Sequence, residues 1–245
     1  MSARRERRAP AGGARRARAP GRERGLSLVE LMIALVLGLI VTAAAFNVYA
    51  ATVNSQRFTA GLVTMQESGR FGLSTLQRGL RLAGFSERPG FEPFDWDEGG
   101  RTAADAERIV VRIEAARDCN GADTAAHGGV AENAYVHDRA ARTVTCAGND
   151  GTPGVLLENV EELRILYGVD TDADGLPERF LAHADVAEPT EVVALRVGLL
   201  VRSGDLDVRT RSVSRTYAVL DTTTPAFDDR ILREVFATTV KLRNR

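Results

Sequence analysis

Three patterns of hydrophobic and polar positions follow one another along the chain. From Leu31 to Gln56 no residue is charged, and Leu31 to Phe46 (LMIALVLGLIVTAAAF) is apolar almost throughout. At ~1.5 Å per residue, a helix through this run to Ala51 reaches about 30 Å, the thickness of a bilayer's hydrocarbon core. Beyond it the apolar positions thin to one stripe. Phe58, Leu62, Met65, Gly69, Leu73, Leu76 and Leu80 recur at steps of three or four, which predicts that the helix continues as an amphipathic one with a single buried face. Gly84 and Pro89-Gly90 supply the stop signals. The expected helix, from about Ser27 to Ala83, is ~85 Å long. Gly61, Gly69, Gly72 and Gly79 each weaken it by up to about 1 kcal/mol relative to alanine, which makes them the expected points of bending or melting.

After Ser86 the period changes from three or four to two. Ile109, Val111 and Ile113 alternate with Arg108, Arg112 and Glu114, and Leu195, Val197, Leu199 and Val201 repeat the pattern against Arg196 and Arg202. Both read as half-buried strands. Further strands are expected near 134–138, 142–147, 162–168, 179–183 and 213–220, while 230–242 fits a helix or a strand. Residues 86–106 mix Pro, Gly and acids with isolated aromatics and read as a loop pinning Phe91, Phe94 and Trp96 against the body. The simplest arrangement is α+β: a long N-terminal transmembrane and spine helix packed on a mostly antiparallel sheet head. The expected divisions are a basic segment over 1–25, a long helix over 26–85 spanning a membrane at about 31–51, and a globular head over 86–245.

Charge sharpens the division. Residues 1–25 hold nine arginines against Glu6 and Glu23, a net of +7, so the other 220 residues, with 23 basic and 31 acidic groups, carry −8. An acidic body argues against nucleic acid as a direct partner. The positive-inside rule keeps the arginine-rich end cytoplasmic and sends the head across the inner membrane into the periplasm, in a single pass. There Cys119 and Cys146, in polar and Gly-rich surroundings, are expected to form a disulfide, worth about 3.6 kcal/mol in the chain-entropy treatment; two free thiols are the competing reading.

Catalytic chemistry finds little support. The three histidines are scattered, and no HExxH, CxxC, P-loop, GxGxxG or GxSxG occurs. One cluster does suggest a ligand. Asp170, Asp172, Asp174 and Glu178 stand in the order D-x-D-x-D-G-x-x-E, with Gly175 at the sixth place, so alternate carboxylates can converge on calcium as at the start of an EF-hand loop. Leu181 stands where the bidentate glutamate of such a loop belongs, and Pro177 stiffens the segment, so the expected site is weak. A solvated acidic hairpin turned by Asp174-Gly175 is the rival reading.

A second isolated carboxylate lies at the start of the apolar run. Glu30 follows Gly25-Leu26-Ser27-Leu28-Val29, and a carboxylate inside a membrane helix costs about 2–3 kcal/mol or more unless it is paired. Gly25 through Met32 (GLSLVELM) resembles the type IV prepilin processing signal. The resemblance implies that prepilin peptidase cuts after Gly25 on the cytoplasmic side and methylates the new amino terminus at Leu26. Phenylalanine is usual at that first position. The new ammonium group can then pair with Glu30 of a neighbouring subunit in a packed bundle, compensating both charges only in the assembled state. Other readings stand beside it: Glu30 as a boundary charge that snorkels to the headgroups, and the run as a plain signal anchor or a signal peptide cut near Ala43-Ala44-Ala45.

Farther along, Val160 to Asp172 (VEELRILYGVDTD), Val192 to Val197 and the closing Thr238 to Arg245 (TTVKLRNR) resemble the PilW family of type IV pilus minor pilins. That resemblance implies a pilin-like fold and a structural role in initiating or tipping a pilus, with adhesion, twitching motility or DNA uptake downstream. The implied partners are other minor pilins, the major pilin, prepilin peptidase, the inner-membrane assembly platform and the lipid bilayer. The implied destination is the pilus at the cell surface. A J-like minor pseudopilin of type II secretion is the nearest alternative, and a membrane-anchored periplasmic enzyme or binding module a more distant one.

Overall fold

The computed structural model describes residues 25–101, 107–204 and 207–243. The basic segment up to Arg24, part of the expected 86–106 loop and the terminal Asn244-Arg245 therefore lie outside the described residues. The chain divides into two compact units, Met1–Tyr49 and Ala50–Arg245.

One helix, α1 (Leu28–Arg81), runs without a break through the apolar run and the amphipathic stripe. The Ser27 hydroxyl opens it by accepting the Glu30 backbone N–H at 3.2 Å, satisfying one of the donors every helix start leaves over. It ends where Gly84 takes a φ of +76°, the left-handed conformation glycine adopts without strain, and the Gly84 N–H turns aside to the Arg112 carbonyl. In the second unit the helix buries Gly61, Met65, Gly69, Gly72, Leu76 and Leu80. Leu62 and Leu73 are partly buried at its edge, and Phe58 is exposed.

The expected weak points of α1 do not melt, for a reason the sequence pattern conceals. A Cβ on Gly69 would fall 2.3 Å from the Phe236 ring, one on Gly79 2.0 Å from the Tyr135 hydroxyl, and one on Gly72 2.8 Å from Leu157. The glycines are the places where the head approaches the helix backbone, so packing offsets their poor propensity.

The head carries two antiparallel sheets. The first is a meander of β1 (Phe94–Arg101), β2 (Glu107–Glu114), β3 (Val130–Asp138), β4 (Thr143–Ala147) and β5 (Pro153–Glu158), in that spatial order. Asn159, at φ +63°, passes the chain to the second sheet, built from β6 (Val160–Val169), β7 (Arg179–Leu181) and β8 (Val192–Arg202). Four short strands follow as two-stranded pieces: β9 (Val213–Arg215) with β12 (Phe227–Asp229), and β10 (Ala218–Val219) with β11 (Thr222–Thr223). Then β13 (Arg233–Lys241) closes the second sheet in the order β13-β8-β6-β7. The α+β reading holds, and so does the antiparallel pairing.

Four local expectations are corrected. Residues 94–101 form an edge strand with a bulge between Asp95 and Gly100, because Phe94 and Asp95 pair with Val111 and Val110. The ambiguous 230–242 segment is a strand, held by nine register pairs to β8. The expected strand over 213–220 breaks into β9 and β10. Finally, β8 is not half-buried: every residue but Arg196 is covered, because Val219 and Leu220 lie over Gly198 on its second face.

Candidate functional site

At the amino end, Gly25 and Leu26 precede the helix and are exposed, leaving their peptide bond open to a processing enzyme. Glu30 falls in the first turn of α1, where its carboxylate also complements the positive end of the helix dipole. The apolar residues that follow are turned outward: Leu31, Leu35, Leu39 and Ile40 are all more than half exposed. An 18-residue window in this helix reaches a mean hydropathy of 2.5 with none of it buried, so its length and composition suffice to cross a membrane.

In the head, Cys119 and Cys146 are joined as a disulfide. It ties the loop after β2 to strand β4. Asp118, beside it, accepts backbone N–H groups from Asn120, Ala122 and Asn149, while the Cys119 N–H donates to the Asn133 side chain. The bridge thus closes a loop that hydrogen bonds already shape.

The acidic loop between β6 and β7 brings all four expected carboxylates together. One oxygen from each of Asp170, Asp172, Asp174 and Glu178 lies within 4.8 Å of the others. Asp170 is buried and the rest are exposed. The loop is also closed by its own hydrogen bonds. Asp170 accepts from the Gly175 N–H at 2.8 Å, Asp172 from the Asp174 N–H, Asp174 from the Leu176 N–H, and Glu178 from the Thr171 N–H and hydroxyl. Ala173 and Gly175 supply the positive φ angles of the turn. Lys241 reaches the same place, since a Cβ on Gly175 would lie 3.9 Å from its Nζ.

Two buried ionic groups were not anticipated. Glu107, 1% exposed, accepts the Arg164 guanidinium at 2.9 Å and the Ile165 N–H at 3.2 Å, joining β2 to β6. Arg164 also grips Asp221 through two nitrogens, and those hydrogen bonds hold the Asp221 carboxyl below its usual range. On the second sheet Arg233 pairs with Glu161 and, through two nitrogens, with Asp229, whose carboxyl is lowered for the same reason. The visible signal was the three charged residues Glu161, Glu162 and Arg164 inside an otherwise apolar strand. These groups latch strands together. Two of the three histidines are likewise engaged by the backbone, His137 with the Val160 carbonyl and His183 with that of Trp96. Among the described residues the acidic loop is the one group of three or more potential metal ligands.

Residues 20–46, around the exposed Gly25 and Glu30, match the family model described as Prokaryotic N-terminal methylation motif. With the apolar helix that follows, this makes the chain a type IV pilin-like protein, of a kind that fits membrane anchoring and association with other pilus components. Residues 130–244, from β3 to the last strand, match the model described as Type IV Pilus-assembly protein W. The head of this chain is thus similar to the PilW family over 130–244, just under half of its length. Among solved structures, a type IV-like pilin from Thermus thermophilus aligns over 70% of this chain and 91% of its own, at 14% identity and a TM-score of 0.41. No curated protein matches the chain.

Proposed function

We propose that the protein is a non-catalytic minor pilin that helps to initiate or tip a type IV pilus with other minor pilins. The observation that carries this reading is the presence of both matches on one chain, a methylation motif around the Gly25–Leu26 bond and a PilW domain in the head. Its parts have distinct physical tasks. Prepilin peptidase removes the basic leader after Gly25 and methylates Leu26. The apolar run holds the subunit in the inner membrane, head in the periplasm, until the assembly platform extracts it. The new ammonium group at Leu26 and a neighbour's Glu30 compensate one another only in the correct stagger, so the cost of burying them becomes a test of register. The head supplies the surface that meets other pilins.

Convergence of the four loop carboxylates within 4.8 Å supports calcium as a weak ligand of this head. Asp170, Asp172, Asp174 and Glu178 would hold it. Leu181 in place of a bidentate glutamate and the nearby Lys241 ammonium both lower the affinity.

The test of the main reading is a clean deletion complemented in parallel. The wild-type gene should restore surface pili. Glu30→Val should insert in the membrane at wild-type levels yet fail to crosslink into the minor-pilin complex. Piliation unaffected by the deletion would overturn the assignment.

A further inference from the structure

Arg57 is the first charge after Glu30, and it stands six residues past Ala51, where the apolar run ends. At ~1.5 Å per residue, chain connectivity alone keeps Arg57 and Phe58 within about 10 Å of that end, in the depth of lipid headgroups. Phe58 is 41% exposed although it belongs to the apolar stripe of α1. A phenylalanine ring beside arginines is a composition found on surfaces that lie in a membrane interface.

The head adds to this patch. Val208 lies so close over Gly61 that a Cβ there would meet its Cγ1 at 2.8 Å, and the Val208 and Arg209 N–H groups both donate to the Arg230 carbonyl. The segment is thereby fixed against the helix. Hollows open on either side of Val208. One, of about 670 Å³, has Arg57, Thr64, Ser203 and Asp207 on its walls; the other, of about 370 Å³, has Asn54, Ser55, Phe58 and Arg209. Each is walled by one arginine. Asp207, the acid in the first, is engaged by Arg230 at 3.8 Å, whereas Arg57 and Arg209 make no ion pair among the described residues. On a body whose net charge is strongly negative, two uncommitted arginines flanking an exposed phenylalanine form a local exception.

We propose that Arg57, Phe58 and Arg209 form a docking surface for anionic phospholipid headgroups, which seats the head on the periplasmic face of the inner membrane before the subunit is taken into a filament. This rests on the membrane-spanning reading of 31–51. The guanidinium groups meet lipid phosphates in the two hollows, and the Phe58 ring enters the boundary between headgroups and acyl chains.

The full chain, reconstituted with its head outward in vesicles, provides the test. Vesicles of phosphatidylcholine are compared with vesicles also containing phosphatidylglycerol, and the rate of tryptic cleavage after Arg209 is read against cleavage after the exposed Arg179. Phosphatidylglycerol should slow cleavage at Arg209 relative to Arg179 by at least fivefold, roughly the effect of one arginine near an anionic surface. Arg57→Gln and Phe58→Ala should each remove most of that protection and leave the rates on phosphatidylcholine unchanged. Equal rates on both lipids, or protection that survives Arg57→Gln, would overturn the proposal. So would protection by dissolved inorganic phosphate on phosphatidylcholine vesicles, which would mark a site for free anions instead of a lipid surface. Failure of the chain to float with either vesicle would sink the membrane reading itself, a result distinct from flotation without lipid dependence.

Discussion

Replacing Gly69 with alanine puts two opposed effects in one residue. In an isolated helix the change stabilises by about 1 kcal/mol, because glycine surrenders the most backbone freedom on folding. Here the added methyl would stand 2.3–2.5 Å from three carbons of the Phe236 ring, well inside van der Waals contact. Phe236 cannot simply withdraw, since β13 is pinned by backbone pairing on both sides of it, Val235 with Leu200 and Ala237 with Gly198. Overpacking of this kind costs about 1–3 kcal/mol, and with three ring carbons inside contact distance the upper part of that range applies, so Gly69→Ala should destabilise the head by up to about 2 kcal/mol net. In a Phe236→Ala background the obstruction is gone and the same substitution should stabilise by about 1 kcal/mol. The sign reversal is the measurement. Urea denaturation of the full chain in detergent can follow the fluorescence of Trp96, the single tryptophan, which packs against Tyr167 and His183 in the head. Stabilisation by Gly69→Ala in the wild-type background would refute the close-approach account and return the glycine to a mere weak point.

Amino-terminal sequencing of the membrane-extracted protein should begin at Leu26, and Gly25→Leu should leave the precursor uncut; a start at Phe46 would favour an ordinary signal peptide. Alkylation before and after reduction should label Cys119 and Cys146 only afterwards, and reduction should cost the head about 2–4 kcal/mol in denaturant titrations. Since Asp221 and Asp229 have lowered folded-state pKa values, their stabilisation is complete above the ordinary carboxylate range and is lost as pH falls through the depressed values. Asp221→Asn should therefore flatten the acid limb of a plot of stability against pH, and an unchanged slope would remove the Arg164 pair from that account. Calorimetric titration of the full chain should give saturable heat only at about 10⁻⁴ to 10⁻³ M calcium, abolished by Asp172→Ala with Asp174→Ala; no heat at millimolar calcium would leave a self-closed turn.

What could be read in advance depended on how local the deciding contact was. The uncharged run, the stripe from Leu62 to Leu80 and the alternation of Ile109, Val111 and Ile113 are decided within one element, so their periods carried the helix and the core-facing side of β2. The methylation motif over 20–46 is legible for a related reason: it is a contiguous stretch, and the exposed Gly25 and Leu26 within it need no tertiary context. The acidic loop, with a fixed spacing on one turn, assembled as the spacing said. The spacing does not by itself name a ligand, because carboxylates placed to meet a cation are equally placed to accept the loop's own N–H groups.

The failures share the opposite property. Nothing within 192–202 says that the second face of β8 is covered, since that is decided by Val219 and Leu220, some twenty residues later, lying on Gly198. Nor does a period reveal that Glu107 and Arg164, 57 positions apart, compensate one another, so each looks like the solvent side of its own strand. The glycines of α1 combine both difficulties. Judged by propensity Gly61, Gly69, Gly72 and Gly79 are faults, yet each faces a different part of the head: the 203–208 segment, β13, strands β5 and β8, and β3. A helix bearing side chains at those four places would hold both sheets away from its backbone. The local weakness of the helix is thus the condition for its attachment to the head, where Met65, Leu76 and Leu80 can then join the common core.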